Sequence, residues 1–276
     1  MKRLLTYNPN LPQSWGLLIL MIVCQLIAGS IAGIIPPIFG TESHSWITLF
    51  TSVLSFIIMI FMVMLLGKRQ NGIETDITQR IKPKFPLYIL LLFLMPSLAA
   101  SIEPIYMWIP MPQFMEDLFA SVFTNNLATF IMVTIVAAFG EEWLCRGVIL
   151  KGLLANGMPP YKAIVWAALL FAILHLNPWQ AIPAFCLGFA IGWVYWRTRS
   201  LWPCIFMHAV NNGIAFIMLL LFPDAPVNAS LYDIAATHYL FIYTGAVILS
   251  IATGYGVWRM IGVINDSKFK IQDSSI

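Results

Sequence analysis

Residues 15–35 read WGLLILMIVCQLIAGSIAGII, an apolar run without a single charge. Crossing the hydrocarbon layer of a bilayer takes about 20 such residues, so this stretch reads as a membrane span. Lys2 and Arg3 precede it, which raises the alternative of a cleaved signal peptide. Its length exceeds the roughly 7–15 residues of a signal core, and further apolar runs follow, so it is read as a retained first span. Comparable runs lie at 46–66, 87–100, 127–153, 161–176, 179–196, 201–222 and 239–263, eight in all. The third is short and contains Pro96, so it is either kinked or joined to the amphipathic stretch after it. Backbone groups in lipid must be bonded internally, which makes each run a helix.

Working outward, the whole chain of 276 residues is 60% hydrophobic and 10% charged, with a mean hydropathy of +0.84. A soluble domain is about 45–50% apolar and roughly 25% charged, so a soluble fold is excluded. With the N-terminus cytoplasmic, the inside segments hold Lys2, Arg3, Lys68, Arg69, Arg80, Lys82, Lys84, Lys151, Lys162, Arg197, Arg199, Lys268 and Lys270. The outside segments hold Glu42, Glu103, Glu116, Asp117, Asp224 and Asp233, with no Lys or Arg. That layout obeys the positive-inside rule at every loop. The expected fold is therefore all-α: a polytopic membrane protein of about eight transmembrane helices in a bundle, both termini cytoplasmic, forming one integral membrane domain over 1–276. The net charge of +3 is accounted for by the inside loops, so the partner is the lipid bilayer and no nucleic acid is expected. Cys24, Cys145, Cys186 and Cys204 all fall within spans, without the close CxxC pairing of a metal site, and read as packing residues.

Several side chains do not belong in lipid. A charge at the centre of a membrane helix costs roughly 2.5–3.5 kcal/mol on insertion scales, and those that persist face a cavity and have partners. The fourth span carries Phe139-Gly140-Glu141-Glu142-Trp143-Leu144-Cys145-Arg146-Gly147. Glu142 and Arg146 are i and i+4, on one helix face, and can pair. Glu141 points about 100° away and is left without a local cation. Either Glu142–Arg146 is a structural pair and Glu141 a working carboxylate, or all three form one structural network. In the fifth span His175 follows Phe171 by four residues, so the phenyl can help hold the imidazole. In the seventh, His208 and Asn212 are likewise i and i+4, near small residues Ala209 and Gly213 that permit close helix approach. Alone, each pair reads equally as structural or interhelical polar contact. Together, a carboxylate, two imidazoles and an amide on three spans suit amide hydrolysis. A carboxylate with a histidine can hold and deprotonate water, and a histidine with an asparagine can stabilise an oxyanion.

In this order, Glu141-Glu142-x-x-x-Arg146, Phe171-x-x-x-His175 and His208-x-x-x-Asn212 resemble the three signature motifs of the CPBP family, the type II CAAX prenyl endopeptidases and bacteriocin-processing or Abi proteins. Arg199-Ser200-Leu201-Trp202-Pro203 resembles the family's usual lead-in to the last motif; Ser200 can cap that helix and Pro203 falls in its first turn. The resemblance covers 127–222, taken as the protease core. It implies an intramembrane endopeptidase acting on a peptide or lipidated protein substrate, in which Glu141 and His175 activate water, His208 and Asn212 form the oxyanion hole, and Glu142, Arg146 and Phe171 support them. Family members are often labelled metalloproteases, and Glu141, His175 and His208 are the candidate ligands for zinc. HExxH is absent, so metal-free activation of water by glutamate is the favoured expectation, with no cofactor. Cys145 is read as packing rather than as a nucleophile, since no histidine base accompanies it. Depth sets a condition on the site. His208 lies about 10 Å and His175 about 21 Å along their helices at 1.5 Å per residue, so the fifth helix must tilt or begin below the membrane plane. The competing readings are a bacteriocin self-immunity or scaffold protein without protease activity, and a proton-coupled transporter, for which no inverted repeat is found. The membrane is expected to be a bacterial plasma membrane.

Overall fold

The computed structural model describes residues 7–34, 44–69, 83–226 and 229–273. The charges at Lys2, Arg3, Glu42, Arg80 and Lys82 lie outside these residues. Nine main helices follow in order: α1 (Leu11–Ile34), α2 (His44–Arg69), α3 (Phe85–Ile102), α4 (Gln113–Val122), α5 (Leu127–Ala155), α6 (Pro160–Leu174), α7 (Pro178–Thr198), α8 (Leu201–Leu221) and α9 (Tyr239–Asp273). Among the described residues there is no strand. The protein is a polytopic helical membrane protein. Among the described residues six helical segments are long and apolar enough to cross a bilayer, whereas α6 is a shorter apolar helix of 15 residues. Helix α7 has the length to cross, but Trp179, Gln180, Pro183 and Tyr195 dilute its apolar character.

Packing follows from where each helix keeps its small and apolar residues. In α1 the buried positions Ser14, Leu17, Leu18, Met21, Ala28 and Ala32 recur at helical spacing and face α2. A side-chain bond from Ser55 Oγ to the Cys24 carbonyl, 3.3 Å, joins the same pair. Helix α3 pairs with α9, α6 with α7, and α8 packs on α3 and α5. Pro96 does not break α3, which runs through it and ends in a short 3₁₀ turn, Glu103–Ile105. The opposite faces stay apolar and open: Phe50, Phe93, Phe241 and Trp258 are all exposed. That pattern is expected where lipid, rather than water, covers the surface.

The most enclosed part is the second half of α5. Leu144, Arg146, Ile149, Leu150 and Leu153 are almost wholly buried there, with Ile164 and Leu170 of α6 among the side chains around them. A charged guanidinium in that company needs a structural reason.

Candidate active site

Helix α5 carries the motif and is not a regular α-helix. Ile131–Ala137 and Trp143–Leu150 are π-helical, and only Ala138–Glu142 between them keeps α geometry. In a π turn the hydrogen bond reaches back five residues instead of four, which can release a carbonyl from the ladder. The amide of Asn212, from α8, donates through Nδ2 to the Val133 carbonyl at 2.8 Å.

The pair anticipated from i, i+4 spacing forms inside this irregular stretch. Arg146 Nη1 donates to Glu142 Oε1 at 2.7 Å, with both side chains 0% exposed. Arg146 Nη2 donates to the carbonyl of Gly188 on α7 at 2.8 Å, and the guanidinium carbon stands 4.7 Å from the centroid of the Phe171 ring. Cation and ring attract through the ring's quadrupole, so Arg146 is held from three sides. The carboxylate has a second partner: His208 Nδ1 lies 2.9 Å from the same Oε1. With Nδ1–H committed to Glu142, His208 presents Nε2 elsewhere.

Phe171 is the hub on which the two histidines meet. Its ring is edge-on to His175 at 5.0 Å and to His208 at 5.7 Å. One phenyl ring thus touches both imidazoles. His175 is the C-cap of α6, where the last carbonyls lack amide partners, and its Nδ1 donates to the Phe171 carbonyl at 2.9 Å. In the neutral ring that leaves Nε2 as an acceptor. The chain then turns through Leu176 at φ +56°. Asn177 follows, 7% exposed, and its Nδ2 donates to the His175 carbonyl at 2.8 Å. Its Oδ1 accepts from Gln180 N at 2.8 Å, capping α7.

Glu141 is the group left over. Its Oε2 is buried and has no hydrogen-bond partner among the described residues. Asn212 is engaged on both sides of its amide, giving one N–H to Val133 and accepting from Asn211 Nδ2 at 3.2 Å, which leaves its second N–H. Ser200 occupies the N-cap position of α8 but makes no side-chain cap bond, so that detail of the lead-in is corrected. Cys145 and Cys204 are buried free thiols. Among the described residues no group of three or more His, Cys, Asp or Glu side chains is arranged to hold a metal ion. Sequence reasoning missed Gly188 and Val133, which act through backbone carbonyls and leave no side-chain signal; Asn177-Pro178 carried the ordinary signature of a helix start.

A groove of about 370 Å³ opens among α3, α5 and α8. Tyr88, Ile135, Phe139, Trp202 and Phe206 line it, together with Thr134 from the first π stretch. Its α8 side continues along one helix face, through Ala209, toward Asn212 and Gly213.

Residues 123–214 match the family model described as Type II CAAX prenyl endopeptidase Rce1-like, consistent with the CPBP resemblance. Comparisons with curated proteins and with solved structures find no match. The matched segment takes in α5, α6, α7 and most of α8, and with them every residue of the cluster just described. The match implies a peptidase, and the helices make the chain an integral, multi-pass membrane protein.

Proposed function

Proceeding from the type II CAAX prenyl endopeptidase match over 123–214, we propose that this protein is an intramembrane endopeptidase that hydrolyses a peptide bond in a membrane-associated or lipidated peptide. The observation that carries this reading is Glu141 Oε2, a buried carboxylate oxygen that, like Glu142 Oε2, has no hydrogen-bond partner among the described residues, while Glu141, unlike Glu142, has no arginine paired with it. A buried acceptor of that kind is costly unless something binds it, and a water molecule suits it. Glu141, assisted by His175 through Nε2, takes a proton from that water as its oxygen attacks the carbonyl carbon. The tetrahedral oxyanion is met by the second Nδ2 hydrogen of Asn212 and by Nε2–H of His208. With Nδ1 of His208 facing Glu142 Oε1, donation from Nε2 requires a ring that carries both protons during this step. Collapse breaks the C–N bond, and the proton collected at Glu141 or His175 passes to the leaving amine.

The apolar groove beside the site supports a substrate with a hydrocarbon or strongly apolar portion. Eight crossings, with both termini cytoplasmic, fit the loop charges. Wild-type and Glu141→Gln proteins in nanodiscs, offered a panel of lipidated and apolar peptides, test the reading. The wild type should cleave at least one and the variant should be slower by about 10²-fold or more, in line with loss of a general base. Equal cleavage by both defeats the mechanism, and binding without cleavage by the wild type assigns the chain to a scaffold or immunity role.

A further inference from the structure

Between α3 and α5 the chain makes a long excursion, residues 106–126, that the catalytic reading does not use. Helix α4 lies in its middle, and the segment is pinned at several points. On its approach, Leu231 N donates to Glu103 Oε1 at 2.5 Å. Pro110 accepts from Trp179 Nε1 at 2.9 Å. At its end Asn126 Nδ2 donates to Ser45 Oγ at 2.8 Å, and Ser45 and Thr124 share a hydroxyl bond of 3.0 Å. It is a strap across the helix ends of α2, α7 and the segment leading into α9.

The two sides of α4 differ. At 100° per residue, Phe114, Met115, Leu118, Phe119 and Val122 fall on one side, and Gln113, Glu116, Asp117, Ala120 and Ser121 on the other. Met115 and Phe119 turn partly inward, but Phe114 is 68% and Leu118 51% exposed. Trp108 and Ile105, nearby in the same excursion, are exposed as well. Water would not tolerate this cluster cheaply at about 25 cal/mol per Å² of apolar surface. The strap also joins two segments, Phe85–Ile105 and Leu127–Ala155, that are long and apolar enough to span the membrane. Both ends of the strap therefore run directly into segments whose exposed apolar faces lipid would cover, Ile89, Leu92 and Phe93 on α3 and Leu127 and Ile135 on α5.

We propose that α4 is an interfacial helix seated in the phospholipid layer, with Phe114, Leu118 and Trp108 buried among the upper acyl chains and Gln113 and Asp117 in the headgroup water. The strap's only charged side chains are Glu116 and Asp117, and burial pushes the Tyr106 hydroxyl up to about 12, so it stays neutral. The partner is accordingly a zwitterionic lipid surface gripped by apolar burial, not an anionic one gripped by charge. Through Pro110 and Trp179 the lipid then steadies the first turn of α7, four residues beyond His175.

The test uses the full chain with Cys24 and Cys186 replaced by Ala, in phosphatidylcholine nanodiscs. A spin label is placed in turn at Gln113→Cys, Phe114→Cys, Asp117→Cys and Leu118→Cys, all exposed positions. Collision rates with oxygen and with a water-soluble nickel chelate are compared. The oxygen-to-nickel ratio should be severalfold higher at 114 and 118 than at 113 and 117. Four similar ratios, whether all water-like or all lipid-like, overturn the proposal. No substrate enters the measurement, so its outcome is separate from that of the peptidase reading.

Discussion

Arg146 is the residue whose environment says most about the cluster. It is wholly buried, bonded to Glu142 and to the Gly188 carbonyl, and stacked under Phe171. Removing one partner from a buried ion pair strands the other, at a cost of about 3–5 kcal/mol. Arg146→Met should therefore lower thermal stability by that order, as read from unfolding in detergent, and the double variant Glu142→Gln/Arg146→Met should recover a measurable part of the loss. No recovery would show that the pair does not act as a unit. Gly188 tests the same point from α7. A Cβ there would stand 3.0 Å from Phe171 Cδ1 and 3.3 Å from Arg146 Nη2, so Gly188→Ala should cost about 1–3 kcal/mol by overpacking. It should also slow turnover more than it raises KM, since the groups it displaces hold His208 rather than substrate. At this scale the sequence was partly legible. The i, i+4 spacing exposed the Glu142–Arg146 pair, because both partners sit on one helix. The bond from His208 to Glu142 joins residues 66 apart in the chain, and no local spacing carries such a contact.

At the scale of elements, the corner between α6 and α7 aims His175. Leu176 sits there at φ +56°, in the left-handed region that costs a residue with a Cβ roughly 1–2 kcal/mol. Leu176→Gly should relieve that strain and raise the melting temperature, and a fall would mean that the exposed leucine side chain is itself held by something. Asn177 does the opposite work, so Asn177→Ala should lose the cap and the link to the His175 carbonyl together, for about 1–2 kcal/mol. Helix existence was readable from apolar run length, because lipid leaves the backbone no alternative. The π stretches of α5 were not readable. In the first of them the Val133 carbonyl takes a donor from α8, and a hydropathy profile does not see which carbonyl an asparagine will find.

For the whole molecule, sidedness is the main remaining test. Lys162 and Asp224 are exposed on segments assigned to opposite sides of the membrane. A membrane-impermeant maleimide applied to intact cells should label Asp224→Cys and leave Lys162→Cys unlabelled until the membrane is opened. The reverse pattern would invert the topology, and labelling of both would break the eight-crossing arrangement. The large apolar surface was plain from composition, since 10% charged residues cannot clothe a soluble body of this size. The gathering of α5, α6, α7 and α8 around one phenyl ring was not, because it rests on crossings between helices that composition does not encode.

The two widened stretches of α5 leave the five residues Ala138–Glu142 between two surplus turns. A surplus residue that migrates along a helix rotates whatever it passes by about 100°. The short segment bearing both carboxylates is thus flanked on each side by a widened stretch, and Glu142 within it is held by Arg146 and His208. Asn212, clasping Val133 in the first of those stretches, ties the widened part of α5 to the helix that also carries His208, so one helix, α8, holds α5 both within its first widened stretch and, through Glu142, at the edge of its second.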